Sequence, residues 1–175
     1  MTDLSTLRLS PLILTLAIDA DNHSYFNALR KQHFPAEINY LDSHLTLFHN
    51  LPPDQPGAMT ATVDLIESFP AFTLEVIGLM NLGKGVAFKI ASSQLADLHV
   101  RLQNIWKPWL TRQDMQTLRP HITVQNKVDP AEARQLLQSL SKDFVPFTCK
   151  ASGVDSFEYM NGPWKFKFHT PFMQS

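Results

Sequence analysis

The chain has 175 residues, of which 44% are hydrophobic and 18% charged, a composition typical of a globular protein rather than a disordered or fibrous one. This length corresponds to one domain, residues 1–175, and is sufficient to bury a sizeable core. The formal net charge of -1 excludes the general positive field of a protein that grips long nucleic-acid duplexes, so any nucleic-acid role must be local.

The sequence predicts neither a membrane span nor a secretory signal. The longest apolar stretch, residues 11–18, is too short to cross a bilayer, and no basic segment leads into an apolar block at the N-terminus. Cys149 is the single cysteine, so no intramolecular disulfide can form, and its apolar neighbours are typical of a core position. We therefore expect a cytoplasmic, monomeric protein.

The first third of the chain predicts two strand-helix units. Residues 12–18 form an apolar run typical of a buried strand, and residues 19–22 offer capping side chains for a helix that ends near Phe34. Residues 43–49 alternate strictly between polar and apolar side chains, which predicts a second strand. A helix over residues 57–69 follows.

The middle third predicts a hairpin followed by a long helix. Residues 72–80 and 86–90 are strand-like and are joined by a glycine-rich turn. Apolar side chains at spacings of three and four then predict an amphipathic helix, which is capped by Ser92 or Ser93 and ends near Trp106.

The last third resembles the first in its order of elements. Residues 121–125 form a short alternating strand, and a helix with proline at its first position is predicted over residues 130–141. Strands over residues 147–159 and 164–169 flank an Asn-Gly-Pro turn. The fold class is therefore α+β, with antiparallel strand pairs and helices outside.

A His-x-Thr pattern occurs twice, each time on a strand followed by a turn and a helix. The first motif is His44-Leu-Thr46 and the second is His121-Ile-Thr123. Chance placement of the histidines and threonines predicts about 0.5 such patterns, so the pair exceeds chance. The repeat predicts two halves related by an approximate two-fold axis, with the motifs facing each other.

Alternation along each strand predicts which side chains share a face with the motif residues. Phe48 is expected beside the first motif, and Arg119 and Gln125 beside the second. Arg119 is a candidate for a charge-assisted phosphate contact, with a solvated surface charge as the alternative. Phe48 is a candidate for stacking on a base, with a core or rim position as the alternative.

Two imidazoles and two hydroxyls in one cleft suit phosphodiester chemistry. One histidine can take a proton from the attacking oxygen, and the other can give one to the leaving oxygen. Threonine hydroxyls can donate hydrogen bonds to non-bridging phosphate oxygens. The remaining histidines lack the spacing of a zinc site, so we expect no metal and no cofactor.

The chain resembles the 2H phosphoesterases, which include bacterial 2′-5′ RNA ligase-like proteins and cyclic phosphodiesterases. The resemblance rests on His44-Leu-Thr46-Leu and on Arg119-Pro-His121-Ile-Thr123-Val, and the order of elements agrees over nearly the whole chain. It implies a bilobal pseudo-two-fold fold in which antiparallel sheets line a central cleft.

For this chain the resemblance implies proton transfer by His44 and His121 and phosphate binding by Thr46 and Thr123. It implies a small nucleotide or an RNA end as substrate, and no long duplex or membrane is expected as a partner. It leaves open which histidine is the base and whether the reaction is hydrolysis or ligation. The alternative is a module that binds a nucleotide or RNA end in the same cleft without turning it over, although both motifs are intact.

Overall fold

The computed structural model of the protein describes residues 9–173. Within this range the chain forms seven strands and four α-helices, and two short 3-10 turns cover Ala36–Ile38 and Lys107–Trp109. In chain order the elements are β1 (Leu12–Ile18), α1 (Ala20–His33), β2 (Leu45–Leu51), α2 (Pro56–Ser68), β3 (Phe72–Asn81), β4 (Val86–Ala91), α3 (Ser93–Trp106), β5 (His121–Gln125), α4 (Pro130–Lys142), β6 (Phe147–Tyr159) and β7 (Trp164–Pro171).

Side-chain caps explain where three of the helices begin. The carboxylate of Asp19 accepts a hydrogen bond from a backbone N–H in the first turn of α1, and Asp129 does the same for α4. Of the two candidate serines, Ser92 is the cap of α3. Pro130 occupies the first position of α4, where its missing N–H costs nothing.

The strands form one antiparallel sheet in the order β2-β1-β6-β3-β4-β5, and β7 extends it by pairing with β6. If β1 is exchanged with β4, β2 with β5 and β3 with β6, the same strand order results, read in the opposite direction. The pseudo-two-fold axis therefore passes between β3 and β6, and each half follows the order β-α-β-α-β. The predicted α+β class and its internal symmetry are confirmed.

The sheet curls into a half-barrel with the helices outside, as expected. The strands β2 and β5 lie at opposite ends of the strand order, yet they contact each other, and α1 packs against β5. The two motif strands therefore meet where the sheet curls round.

The core lies between the sheet and the helices. It includes the fully buried side chains of Phe26, Phe88 and Trp106, and the indole N–H of Trp106 donates to the hydroxyl of Thr62 at 2.8 Å. Cys149 belongs to this core, and burial raises the pKa of its thiol to about 12. None of the helices within residues 9–173 is long and apolar enough to cross a membrane.

A close backbone approach fixes the start of β4 against the end of β5. A Cβ atom added at Gly85 would overlap the backbone of Gln125 and Asn126, whereas one added at Gly78 in β3 would meet open space. The β3–β4 turn can therefore lie on β5 only with glycine at position 85.

Substituting Gly85→Ala is expected to lower the free energy of unfolding by about 2 kcal/mol or more, because the backbone of β4 or β5 must move. The matched control Gly78→Ala is expected to change it by less than about 1 kcal/mol. Urea unfolding of both variants measures the difference, and equal stabilities would contradict the close approach.

Candidate active site

The first motif lies where the chain enters β2. His44 immediately precedes the strand and is half-buried, and Thr46 lies within it, opposite Thr15 of β1. The imidazole Nδ1 of His44 is 2.8 Å from the backbone oxygen of Asp42. A carbonyl oxygen can only accept, so Nδ1 carries the proton and Nε2 is left with its lone pair when the ring is neutral.

The second motif reproduces this arrangement at the start of β5. The Nδ1 atom of His121 donates to the backbone oxygen of Arg119, again two residues earlier and again at 2.8 Å. Thr123 is half-buried and pairs with Ala87 of β4. The same local hydrogen bond therefore orients both imidazoles.

All four motif side chains line one open cleft with a volume of about 340 Å³. Within the described residues, neither Thr46 nor Thr123 uses its hydroxyl in a hydrogen bond to the protein, so both remain available as donors. Arg119 also lines this cleft, and its side chain is exposed. The fold therefore brings the two motifs and Arg119 to one cleft, as expected from the sequence.

The predicted alternation is wrong at Phe48 and Gln125, for the same reason in both halves. On β2, Thr46 and Phe48 pair with successive residues of β1, so the intervening residue forms a β-bulge. On β5, Thr123 and Gln125 likewise pair with successive residues of β4. Each bulge turns the next side chain away from the cleft.

Phe48 consequently lies in the core rather than at the site. Its side chain is 0% exposed, and its ring stacks on His99 at 4.8 Å between centroids. It cannot contact a ligand in the cleft, so the core alternative is correct for this residue.

A buried arginine joins the segments that carry the two motifs, and the sequence pattern did not indicate it. Arg30 of α1 donates to the backbone oxygen of Leu41 at 3.0 Å and to that of Thr123 at 3.1 Å. It also donates to the side chain of Asn39 at 2.8 Å, and its guanidinium lies 4.0 Å from the ring centroid of Phe34. Its planar fork of donors suits this bridging position.

A further histidine, His49, lies in the cleft beside the first motif. The Nδ1 atom of His49 is 3.2 Å from the buried carboxylate of Asp114, which also accepts from the backbone N–H groups of His49 and Asn50. Burial alone would raise the pKa of Asp114, but these hydrogen bonds hold it below its usual value. Asp114 thereby fastens the segment before β5 to the end of β2.

Trp164 also lines the cleft, and the sequence pattern does not indicate this position. Its ring lies 4.6 Å from that of His44 between centroids, although the two residues are far apart in the chain. The turn between β6 and β7 sets its position on β7. Its contact with His44 also depends on the pairing of β6 with β1 and of β1 with β2, which no local pattern indicates.

The electrostatic surroundings of His44 favour its neutral form. Burial lowers the pKa of His44 to about 4. The hydrogen bond to the backbone of Asp42 raises this pKa, whereas the positive charges of Arg30, His49 and His121 lower it further. Among the described residues, no three histidine, cysteine or acidic side chains lie close enough together to hold a metal ion.

A family model described as the 2′-5′ RNA ligase superfamily matches residues 18–163. The chain belongs to this superfamily. The match includes both motifs and the strands from β2 to β6, which supports the expected membership among the 2H phosphoesterases. No curated protein sequence matches the chain significantly.

Solved structures of 2H phosphoesterases share the fold. TT0787 of Thermus thermophilus matches with a TM-score of 0.65 at 13% identity, covering 92% of this chain and 97% of that chain. E. coli LigT complexed with 3′-AMP matches with a TM-score of 0.60 at 16% identity, covering 95% of this chain and 100% of that chain. At such identities the likeness establishes the fold.

Substituting Arg30→Lys keeps the charge but removes the planar fork, so three hydrogen bonds cannot all be maintained. We expect the free energy of unfolding to fall by about 1.5–3 kcal/mol. The control is Arg101→Lys on α3, whose exposed ion pair with Asp97 should contribute less than about 0.5 kcal/mol. Equal effects in denaturant unfolding would mean that the bridge does not stabilise the fold.

Proposed function

We propose that this 2H phosphoesterase breaks a nucleotide or RNA-end phosphodiester without a metal ion, using His44 and His121 as general base and acid. The observation that supports this proposal is the matched pair of imidazoles. Each donates Nδ1–H to a carbonyl two residues earlier, so each keeps Nε2 for a ligand in the shared cleft.

In the hydrolytic direction, Nε2 of neutral His44 accepts a proton from water as the water oxygen forms a bond to phosphorus. The bond from phosphorus to the leaving oxygen breaks, and that oxygen takes a proton from Nε2 of doubly protonated His121. The reverse reaction exchanges the two roles, so the same pair can serve hydrolysis or ligation.

The assignment of His44 as the base follows from its surroundings. Its lowered pKa keeps the imidazole neutral over the physiological range, and a neutral ring with a proton on Nδ1 has its free lone pair on Nε2. We assign phosphate binding to the hydroxyls of Thr46 and Thr123, with Arg119 supplying a charge-assisted contact at the rim.

Local charge supports an anionic ligand here even though the whole chain has a net charge of -1. Arg119 supplies a positive charge in the cleft that holds the motif threonines, whereas the carboxylate of Asp114 in the same cleft is already hydrogen-bonded. E. coli LigT, with 16–17% identity, has been crystallised with 3′-AMP and with ATP. These complexes favour a ligand of nucleotide size in this cleft too.

Replacing either imidazole should remove turnover without unfolding the protein. We expect His44→Ala and His121→Ala each to lower kcat by about 10² or more, because each removes one proton transfer. Thr46→Val and Thr123→Val should weaken phosphate binding or transition-state stabilisation, leaving the proton transfers in place.

The assay is hydrolysis of 2′,3′-cyclic nucleotides and 2′-5′-linked dinucleotides with excess chelator present. Turnover that survives chelator and disappears in both histidine variants supports the proposal. Full activity in either variant would contradict it. Binding of 3′-AMP by the wild-type protein, with no turnover of any substrate, would instead favour a binding module.

The pH dependence of kcat/KM tests the assignment of the base. Protonation of His44 removes the base, so activity should fall as pH decreases through about 4, not through the ordinary histidine value of 6.5. Circular dichroism at each pH checks that the protein stays folded. An acidic limb near 6.5 would contradict the lowered pKa of His44 from which we assign it as the base.

A further inference from the structure

A second cavity adjoins the motif cleft on the other side of His44. Its volume is about 580 Å³, and it lies on the cleft face of β1 and β6. His44 and Trp164 line both cavities, so the two spaces are contiguous. A ligand held between the motifs can therefore extend past His44 into this second space.

Three aromatic rings in continuous contact lead away from His44 along this face. Trp164 contacts His44 and lies 5.7 Å from Phe157 between centroids, and Phe157 lies 5.8 Å from Phe166. Phe157 pairs with Phe166 in the β6–β7 register, and Trp164 is two residues before Phe166 on the same face. We call Trp164, Phe157 and Phe166 the aromatic track.

The turn between β6 and β7 fixes where the track begins. Asn161 and Gly162 both have positive φ, as an Asn-Gly turn allows, and Met160 donates its N–H to the backbone oxygen of Pro163 at 2.9 Å. This tight turn sets Trp164 opposite Tyr159. The register of the hairpin thus delivers an indole directly beside a motif histidine.

The outer end of the track is exposed to solvent. Phe166 is 56% exposed, although phenylalanine is normally buried. Side chains two apart on one strand face lie about 6.8 Å from each other. Aromatic side chains displayed in this way on a sheet are the usual platform for unpaired bases, whose flat faces stack on them.

The two cavities differ in their charged side chains. The motif cleft includes Arg119 and the hydrogen-bonded carboxylate of Asp114, whereas the second cavity includes the carboxylates of Asp42 and Asp155. Asp155 accepts from Nδ1 of His169 at 2.7 Å on the track face. Carboxylates repel phosphate but can accept hydrogen bonds from the amino groups of bases.

We infer that the aromatic track stacks the bases of a single-stranded RNA end whose terminal phosphodiester lies between His44 and His121. The inference rests on the function proposed above and narrows its substrate. The terminal base stacks on Trp164 and the next base on Phe166. The preferred substrate is therefore an RNA end of at least two nucleotides, not a mononucleotide.

The test compares mono-, di- and trinucleotides that end in a 2′,3′-cyclic phosphate. The dinucleotide should exceed the mononucleotide in kcat/KM by about tenfold, the usual contribution of one stacked base, and a third nucleotide should add little. Phe166→Ala should abolish the gain from the second nucleotide, so that its kcat/KM becomes similar for all three substrates. Trp164→Ala should raise KM for all three substrates, and Trp164→Phe should restore most of the loss.

The matched control is Phe168→Ala. Phe168 is a 38% exposed phenylalanine on the same strand, and its pairing with Ser156 puts it on the opposite face. This variant should behave as wild type with every substrate. The same effect in Phe166→Ala and Phe168→Ala, or no dependence on length in the wild type, would overturn the inference.

A binding measurement separates this inference from the proposed chemistry. Oligonucleotides with an uncleavable 3′-phosphate should bind about tenfold more tightly than 3′-AMP, and Phe166→Ala should abolish that difference. Tighter binding of the oligonucleotides without turnover of any substrate would contradict the proposed catalysis but support base stacking on the aromatic track. Turnover of the mononucleotide with no gain in affinity for longer ligands would refute the track alone.

Discussion

One buried guanidinium holds together the two segments on which the site depends. The sheet has to curl for its two end strands to meet, and Arg30 spans that meeting point from α1, bonding the chain before β2 and the backbone of β5. Three hydrogen bonds and a ring contact offset the cost of burying its charge. The same charge disfavours protonation of His44, so this residue links the stability of the fold to the chemistry of the cleft.

The pseudo-two-fold symmetry extends to atomic detail. Each motif combines an Nδ1–H bond to a carbonyl two residues earlier, a threonine facing the cleft and a β-bulge directly after that threonine. The two motifs differ in the residues that surround them. The aromatic track, which begins at Trp164, adjoins His44, whereas Arg119 precedes His121. The two imidazoles thus have the same local bonding in different surroundings, and on this difference we base the different roles that we propose for them.

Apolar patterning was sufficient to predict the elements, because the burial that drives their formation repeats at the strand and helix periods. The motif residues were found because they recur on such strands. The faces of Phe48 and Gln125 were not predictable, since a bulge reverses the alternation and depends on the partner strand. The sequence pattern does not indicate Arg30 or Trp164, because each reaches the site through packing between elements distant in the chain.

We propose that both imidazoles carry a proton on Nδ1 and direct Nε2 at a shared phosphate. Nitrogen-15 NMR of labelled protein reports the tautomer of each histidine and its response to added inorganic phosphate. We expect protonated Nδ1 at His44 and His121 and shifts at both Nε2 atoms with one common dissociation constant. Protonated Nε2 with a bare Nδ1 at either residue, or a response from only one ring, would contradict it.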